Sequence, residues 1–388
     1  MKDWIERNVK GDPFIWAIIF LFSLISIAVV YSAIGSLAYK NMQGNTEYYL
    51  IKHSMLVFLS LACMWFAHKV NYKYYGGLSR LALWISVPLL IGTFFFGSTI
   101  NAASRVISIP IIGLTFQSSD FAKLALIAHL ASMLAKRQAN IEDFKESFIP
   151  VVLWCGGICG LIALANLSTA VILFSTCMLL MFIGRVPMKY LAMLMIVGMF
   201  AGTLGLVLGQ RLGTSINRVK AFMSEDQMPD QAQQAFIAIA SGGFTGSGPG
   251  QSVQGDYIPH GYSDFIYAII IEEYGMIGGV IILFLYLALL YRGLLTVVRS
   301  DRAFGGLLSA GLTFSLVIQA MINMGVAVGL GPITGQPLPL LSMGGTSLLF
   351  TGISLGIIIS VSRGDISESN TSNEKENAPK KQSVPSYN

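Results

Sequence analysis

The chain has 388 residues, 54% of them hydrophobic and only 12% charged. A soluble domain carries about a quarter charged residues, so an ordinary water-soluble globule is excluded and a helical membrane protein is expected. The formal charge of +5 does not point to nucleic acid, because basic residues of a membrane protein set topology, and no nucleic-acid partner is expected.

The chain opens on a mixed-charge segment, 1–13, expected to be cytoplasmic. No small-residue cleavage site follows the first apolar run, so that run reads as a retained helix and not a removed signal peptide. Spans are expected near 14–35, 50–68, 79–97, 119–135, 149–165, 168–184, 190–209, 265–291, 304–328 and 343–362, each about 20 residues, the length that crosses a hydrocarbon core. Lys and Arg concentrate at the two ends and in the connections after spans 2, 4, 6 and 8. Excess basic charge marks the cytoplasmic side, so both termini are placed there and the span count is even. The fold class expected is an all-α polytopic membrane protein of about ten transmembrane helices. Within it, 14–363 form one transmembrane domain, and 364–388, polar and poor in aliphatics, is a disordered cytoplasmic tail. The four cysteines all fall inside apolar runs and read as small buried hydrophobes.

Two segments on the opposite side are too polar for simple connectors: Asn101–Lys123, and 210–263 between spans 7 and 8. Long loops in compact proteins tend to carry function or be disordered. Apolar residues at helical spacing (Ala221, Phe222, Phe236, Ile237, Ile239) predict short helices lying on the membrane surface. Ionisable groups at or inside spans are functional candidates because an unpaired charge there is costly. Asp264 opens span 8, with Glu272 and Glu273 about two turns on, and Asp120 and Lys123 open span 4 on adjacent helix positions. Each has a plainer reading: a helix N-cap for Asp264, a self-neutralising ion pair for Asp120 and Lys123, pairing groups inside the bundle for the two glutamates. Asn166, Gln319 and Asn323 are neutral polar companions. The run Ser241–Ser252 holds five glycines and looks like a phosphate cradle, yet it is neither a Walker sequence nor a dinucleotide fingerprint. A turn that lets backbone approach backbone explains it equally. A second Gly/Pro-rich stretch, Gly329–Thr346, breaks helix where backbone lines a cavity or is packed in protein. Arg105, Lys123, Arg211, Arg218 and Lys220 gather on the side where basic groups are rare, against one acid, Asp264. That pattern suggests an anionic ligand with a carboxylate placed as general base.

Gly243-Phe-Thr-Gly-Ser-Gly-Pro-Gly-Gln-Ser252, Ile258-Pro-His-Gly-Tyr-Ser-Asp-Phe-Ile-Tyr-Ala268 and Glu272-Glu273-Tyr-Gly275 resemble motifs of the SEDS family (shape, elongation, division and sporulation proteins). Pro332–Ser347, Asn101–Val106 and Gln117–Lys123 are similar to further family signatures, in matching order over about 14–363. The likeness leans toward the division branch (FtsW-like) over the elongation branch (RodA-like). It implies a peptidoglycan glycosyltransferase that polymerises lipid II, an undecaprenyl-diphosphate-linked disaccharide peptide, outside the bacterial cytoplasmic (inner) membrane. Its implied partners are a class B penicillin-binding transpeptidase, other division proteins and membrane lipids, at the septum.

The resemblance maps the family's essential Asp onto Asp264, assigned as catalytic base, and its acid–Lys pair onto Asp120 and Lys123. Substrate binding is then expected of Arg105, Gln117, Asp120, Lys123, Arg218, Gln234, Ser252, Glu272, Glu273, Asn323, Ser342 and Thr346. The chain departs from the family wording at Val106, Ser118, Asp120, Asn166 and His260. No metal ligand set is present, although a divalent cation (Mg or Mn) could bridge Asp264 and a diphosphate. A flippase for lipid-linked precursors would also need many spans, but with a polar path reaching the cytoplasm, whereas these residues gather on the outer half. A non-catalytic division scaffold is the third reading.

Overall fold

The computed structural model describes residues 10–34, 46–100, 103–109, 114–208, 212–223, 229–258, 261–300 and 302–376, of which 96, 98–100, 103–109, 114, 201, 204–208, 212–215, 219, 256 and those beyond 364 are described by backbone alone. Arg211 and His260 lie outside the described residues. Helices run over Pro13–Ala33 (α1), Thr46–Lys69 (α2), Tyr75–Phe96 (α3), Ser118–Lys136 (α4), Ile149–Ala165 (α5), Leu167–Ile183 (α6) and Met188–Leu208 (α7). Leu212–Met223 (α8) and Asp230–Gly242 (α9) follow, then Ile266–Arg299 (α10), Ala303–Ala327 (α11) and Thr346–Glu376 (α12).

A helix stands at each of the ten expected spans, and two more occupy the long loop, where short helices were expected. Among the described residues, seven helices are long and apolar enough to cross a membrane. The other three fall short for different reasons. α4 carries Asp120, Lys123 and Lys136, α6 has 17 residues, and only the first part of α7 is described side chain by side chain. α12 runs on to Glu376, past the end of its apolar part at Gly364.

Burial sorts the helices. α11 is enclosed on nearly all sides, the pattern of a helix inside a bundle, and α4, α6, α10 and α12 pack around it. α12 lies closest to α2, where a Cβ added to Gly352 would come 2.3 Å from the Ser60 carbonyl oxygen and one on Gly356 2.4 Å from that of Met64. Small residues four apart let two helix backbones touch, as membrane helices do. Phe20, Phe58, Phe66, Trp84, Phe95 and Phe200 are exposed on the outside, an apolar belt too large for a soluble monomer and suited to lipid. Near the start of the described residues Asp12 caps α1 through Phe14 N–H at 2.9 Å and pairs with Arg292 of α10, joining those two helices.

The polar segment before α4 forms a small antiparallel ribbon, β1 (Ser98–Ile100), β2 (Ala103–Ile109) and β3 (Leu114–Phe116), in the order β1-β2-β3. The all-helical expectation missed it: its strands are three to seven residues long, and short apolar alternation beside a span is absorbed into the helical signal.

Candidate active site

Where α10 begins, the 332–346 loop, α4 and α11 meet in one chain of hydrogen bonds. Asp264 stands two residues before α10, and the residue at the N-cap position is Phe265, whose side chain makes no cap bond. The Asp264 carboxylate accepts a bond from Ser263 Oγ at 3.0 Å. Its backbone carbonyl accepts Asn323 Nδ2 of α11 at 2.8 Å, and the same amide donates to the Gln336 carbonyl at 2.7 Å. Ser342 Oγ donates to the Ser263 carbonyl at 2.6 Å and accepts Leu338 N–H at 2.8 Å. Asn323 and Ser342 thus fix the backbone on both sides of the Asp264 side chain.

The loop itself is anchored from several helices. Gln336 donates to Thr169 of α6 at 2.9 Å, and the Asn166 side chain caps that helix through Thr169 N–H at 3.4 Å. Ser26 of α1 donates to the Leu341 carbonyl at 3.1 Å, and buried Tyr286 of α10 donates to that of Pro339. A loop with this many partners is held in place, as non-helical backbone between membrane helices must be.

The same loop reaches the Asp120–Lys123 pair. Lys123 Nζ lies 2.8 Å from Asp120 Oδ1, with the side chains 11% and 4% exposed, and 3.2 Å from Gln319 Oε1. Gln319 in turn donates to the Pro337 carbonyl at 2.8 Å. A cavity of about 30 Å³ opens beside this pair, between α4, α11 and α12. Thr346, at the start of α12, accepts Gln117 N–H at 3.1 Å and donates to the Thr115 carbonyl at 3.0 Å, tying the ribbon to the same corner.

Arg218 of α8 donates from Nη1 to the Ile333 carbonyl at 3.0 Å. Burial pulls its guanidinium below the ordinary range, and the nearby Asp264 carboxylate opposes that pull. Burial likewise pushes the Tyr262 phenol up, with Asp264 adding to it. Asp264 is therefore within electrostatic reach of both.

The glycine-rich segment has a different task. The Glu272 carboxylate accepts the backbone N–H groups of Val253 at 2.9 Å and Gln254 at 3.0 Å, and the Ser252 hydroxyl. The carbonyls of Glu272 and Glu273 accept Ser247 and Gly248 N–H, and Ser32 of α1 donates to the Glu273 carboxylate. α10 breaks at Gly275 (φ 69°, ψ −174°), and a Cβ there would lie 2.2 Å from the Phe244 carbonyl oxygen. The stretch is a backbone-on-backbone clamp, as the plainer reading had it. Of the residues expected to bind substrate, Ser252 and Glu272 spend side-chain oxygens on the clamp, whereas Glu273 gives it a backbone carbonyl and keeps one buried carboxylate oxygen without a partner.

Of the remaining expected residues, Arg105 sits on β2 with its side chain outside those described, and Gln234 is half-buried on α9. Sequence reasoning left out Ser263, Tyr262 and Gln336. Gln336 did carry a signal, a long amide wedged between Gly335 and Pro337 in a helix-free stretch. Among the described residues no group of three His, Cys, Asp or Glu side chains could hold a metal ion.

Residues 12–366 match the FtsW, RodA and SpoVE family model, described as cell cycle protein. The chain is 31% identical over 364 residues to stage V sporulation protein E of Bacillus subtilis, covering 92% of this chain and 98% of that protein. It is also 31% identical to the probable peptidoglycan glycosyltransferase FtsW of a Geobacter species, over 372 residues and the same shares. Among solved structures it matches a chain of a peptidoglycan synthase complex that coordinates polymerisation and crosslinking (TM-score 0.70, 26% identity, 92% and 98% covered). It matches the rod shape determining protein RodA of Thermus thermophilus as well (TM-score 0.65, 25% identity, 91% and 97% covered). With nearly its whole transmembrane length aligned to these proteins, the chain belongs to the FtsW/RodA/SpoVE family, the SEDS proteins.

Proposed function

We propose that this protein is a peptidoglycan glycosyltransferase that polymerises lipid II at the outer face of the cytoplasmic membrane, for septal wall synthesis, with Asp264 as the general base. The observation that carries the reading is the fixing of Asp264 by Asn323 and Ser342 within the field of Arg218. Relatives named peptidoglycan glycosyltransferase and a similar chain from a synthase complex support the reaction class and a penicillin-binding transpeptidase partner. Both termini are then cytoplasmic, all ten spans cross, and 210–263 lies outside.

In the reaction a sugar hydroxyl attacks the anomeric carbon of a second lipid-linked sugar. As the new C–O bond forms, the hydroxyl proton passes to the Asp264 carboxylate. The bond from the anomeric carbon to the diphosphate oxygen breaks, and its electron pair leaves with the lipid diphosphate. Arg218 and Lys123 stabilise the charge that develops there. The lipid tail stays in the bilayer, where it has apolar surroundings.

The test is Asp264→Asn. Asp264 is not the cap of α10, and Asn keeps its shape and an oxygen for the Ser263 hydroxyl, so the variant should insert and accumulate normally. It should nevertheless lose about 10²–10⁴-fold of glycan polymerisation from labelled lipid II, the share a general base contributes. Near-normal polymer at a normal protein level would remove Asp264 from the chemistry.

A further inference from the structure

At the opposite end of α4, two adjoining cavities of about 290 and 310 Å³ open between α3, α4 and α5. They share Arg80, His129, Met133 and Arg137. The first is the more polar of the two, adding Gly76, Gly77, Ser132 and Lys136. The second is apolar, adding Trp84, Pro150 and Trp154. The two tryptophans meet edge to face at 5.2 Å, and Trp84 is exposed on the bundle's outer surface.

The polar cavity holds cations without anions. No acid lines either cavity, and the salt bridges among the described residues involve neither Arg80, Lys136 nor Arg137. Asp143, in the connection that follows, accepts the N–H groups of Lys145 and Glu146 with one carboxylate oxygen. Two donors or acceptors are buried there without a partner: Nδ1 of His129, a residue 5% exposed, and Nη1 of Arg137. Arg80, Lys136 and Arg137 all act electrostatically on the His129 ring, so the four groups surround one space. Unpaired buried nitrogens of this kind cost free energy unless something outside the chain completes them.

We infer that this paired cavity binds an anionic phospholipid of the inner leaflet, its phosphate among Arg80, His129, Lys136 and Arg137 and its acyl chain against Trp84 and Trp154. The amphipathic division of the cavity favours a lipid over a free anion, since a soluble phosphate has no use for the tryptophan-lined half. The placement fits the end of the bundle that carries the chain's excess basic charge, and basic pockets between helices on that side hold lipid headgroups.

The experiment titrates the purified full-length protein in neutral detergent with dioctanoyl-phosphatidylglycerol, dioctanoyl-phosphatidylcholine or inorganic phosphate, reading tryptophan fluorescence. Saturable binding of the glycerol lipid alone is expected. Arg80→Gln with Arg137→Gln should weaken it about 25-fold, at about fivefold per basic group. Lys136→Gln alone, at an exposed position, should weaken it about fivefold and serves if the double variant does not fold. Arg299→Gln with Arg302→Gln removes the same charge elsewhere on that face and should change nothing. Equal saturation by the choline lipid or by inorganic phosphate would overturn the assignment. So would unchanged affinity in the cavity variants, or an equal loss in the control.

Discussion

Lys123 offers the sharpest separation of structure from chemistry. Its ammonium sits 2.8 Å from Asp120 and 3.2 Å from Gln319, and the second Asp120 oxygen is already buried without a partner. Lys123→Ala would leave a carboxylate only 4% exposed with no counter-charge. Breaking one side of such a pair costs about 3–5 kcal/mol. Replacing both partners, by Lys123→Met with Asp120→Asn, leaves no lone charge and should cost little, since neutral replacements of buried pairs are often near neutral. The double variant should therefore be more stable than Lys123→Ala by at least ~3 kcal/mol, about 10²-fold in the unfolding equilibrium. Reversible unfolding in mixed micelles measures the difference, and glycan formation from lipid II on the same preparations measures function. The double variant should be stable and, if Lys123 has the diphosphate role proposed for it, still make little polymer. A single variant as stable as the double would refute the buried-pair argument. A double variant that polymerises normally would refute the ligand role.

The other predictions test the scaffold. Gly275→Ala puts a Cβ 2.2 Å from the Phe244 carbonyl oxygen at φ 69°, backbone against backbone, and should cost about 3 kcal/mol or more. Limited proteolysis should then cut faster within 243–252, and an unchanged cleavage rate would mean the clamp is not tight. Asn323→Asp keeps the shape but removes the donor that serves the carbonyls of Asp264 and Gln336, since an ionised carboxylate only accepts. It should lower thermal stability and abolish polymerisation together, at about 1–3 kcal/mol for each orphaned carbonyl; normal melting would show that the bonds are dispensable.

The positions of the helices were legible because most are long runs of apolar side chains, seven of them of bilayer length among the described residues, a signal that needs no tertiary context. The Asp120–Lys123 pair was legible for the same reason, since three residues on a helix fix adjacency. The glycine clamp was half legible: five glycines announced close backbone approach without saying to what. Its partner, the broken turn of α10 around Gly275, lies some thirty residues away along the chain and could not be read from a local pattern. The network from Thr169 through Gln336 and Asn323 to Asp264 joins four separate segments, and no periodicity links them. Gln319 and Asn323 stood out as polar in an apolar run, but only coordinates show that both serve the same loop.

The break in α10 also sets a height. Met276–Arg299 rises roughly 36 Å at 1.5 Å per residue, enough by itself to cross about 30 Å of hydrocarbon. Ile266–Tyr274 is therefore surplus to the crossing, a stub about 14 Å long that carries Asp264 at its tip. The Asp264 carboxylate stands on a pedestal whose foot is gripped by the clamp around Gly275. The clamp holds that foot while Asn323 and Ser342 hold the tip, so the height of the carboxylate is set from both ends of the stub.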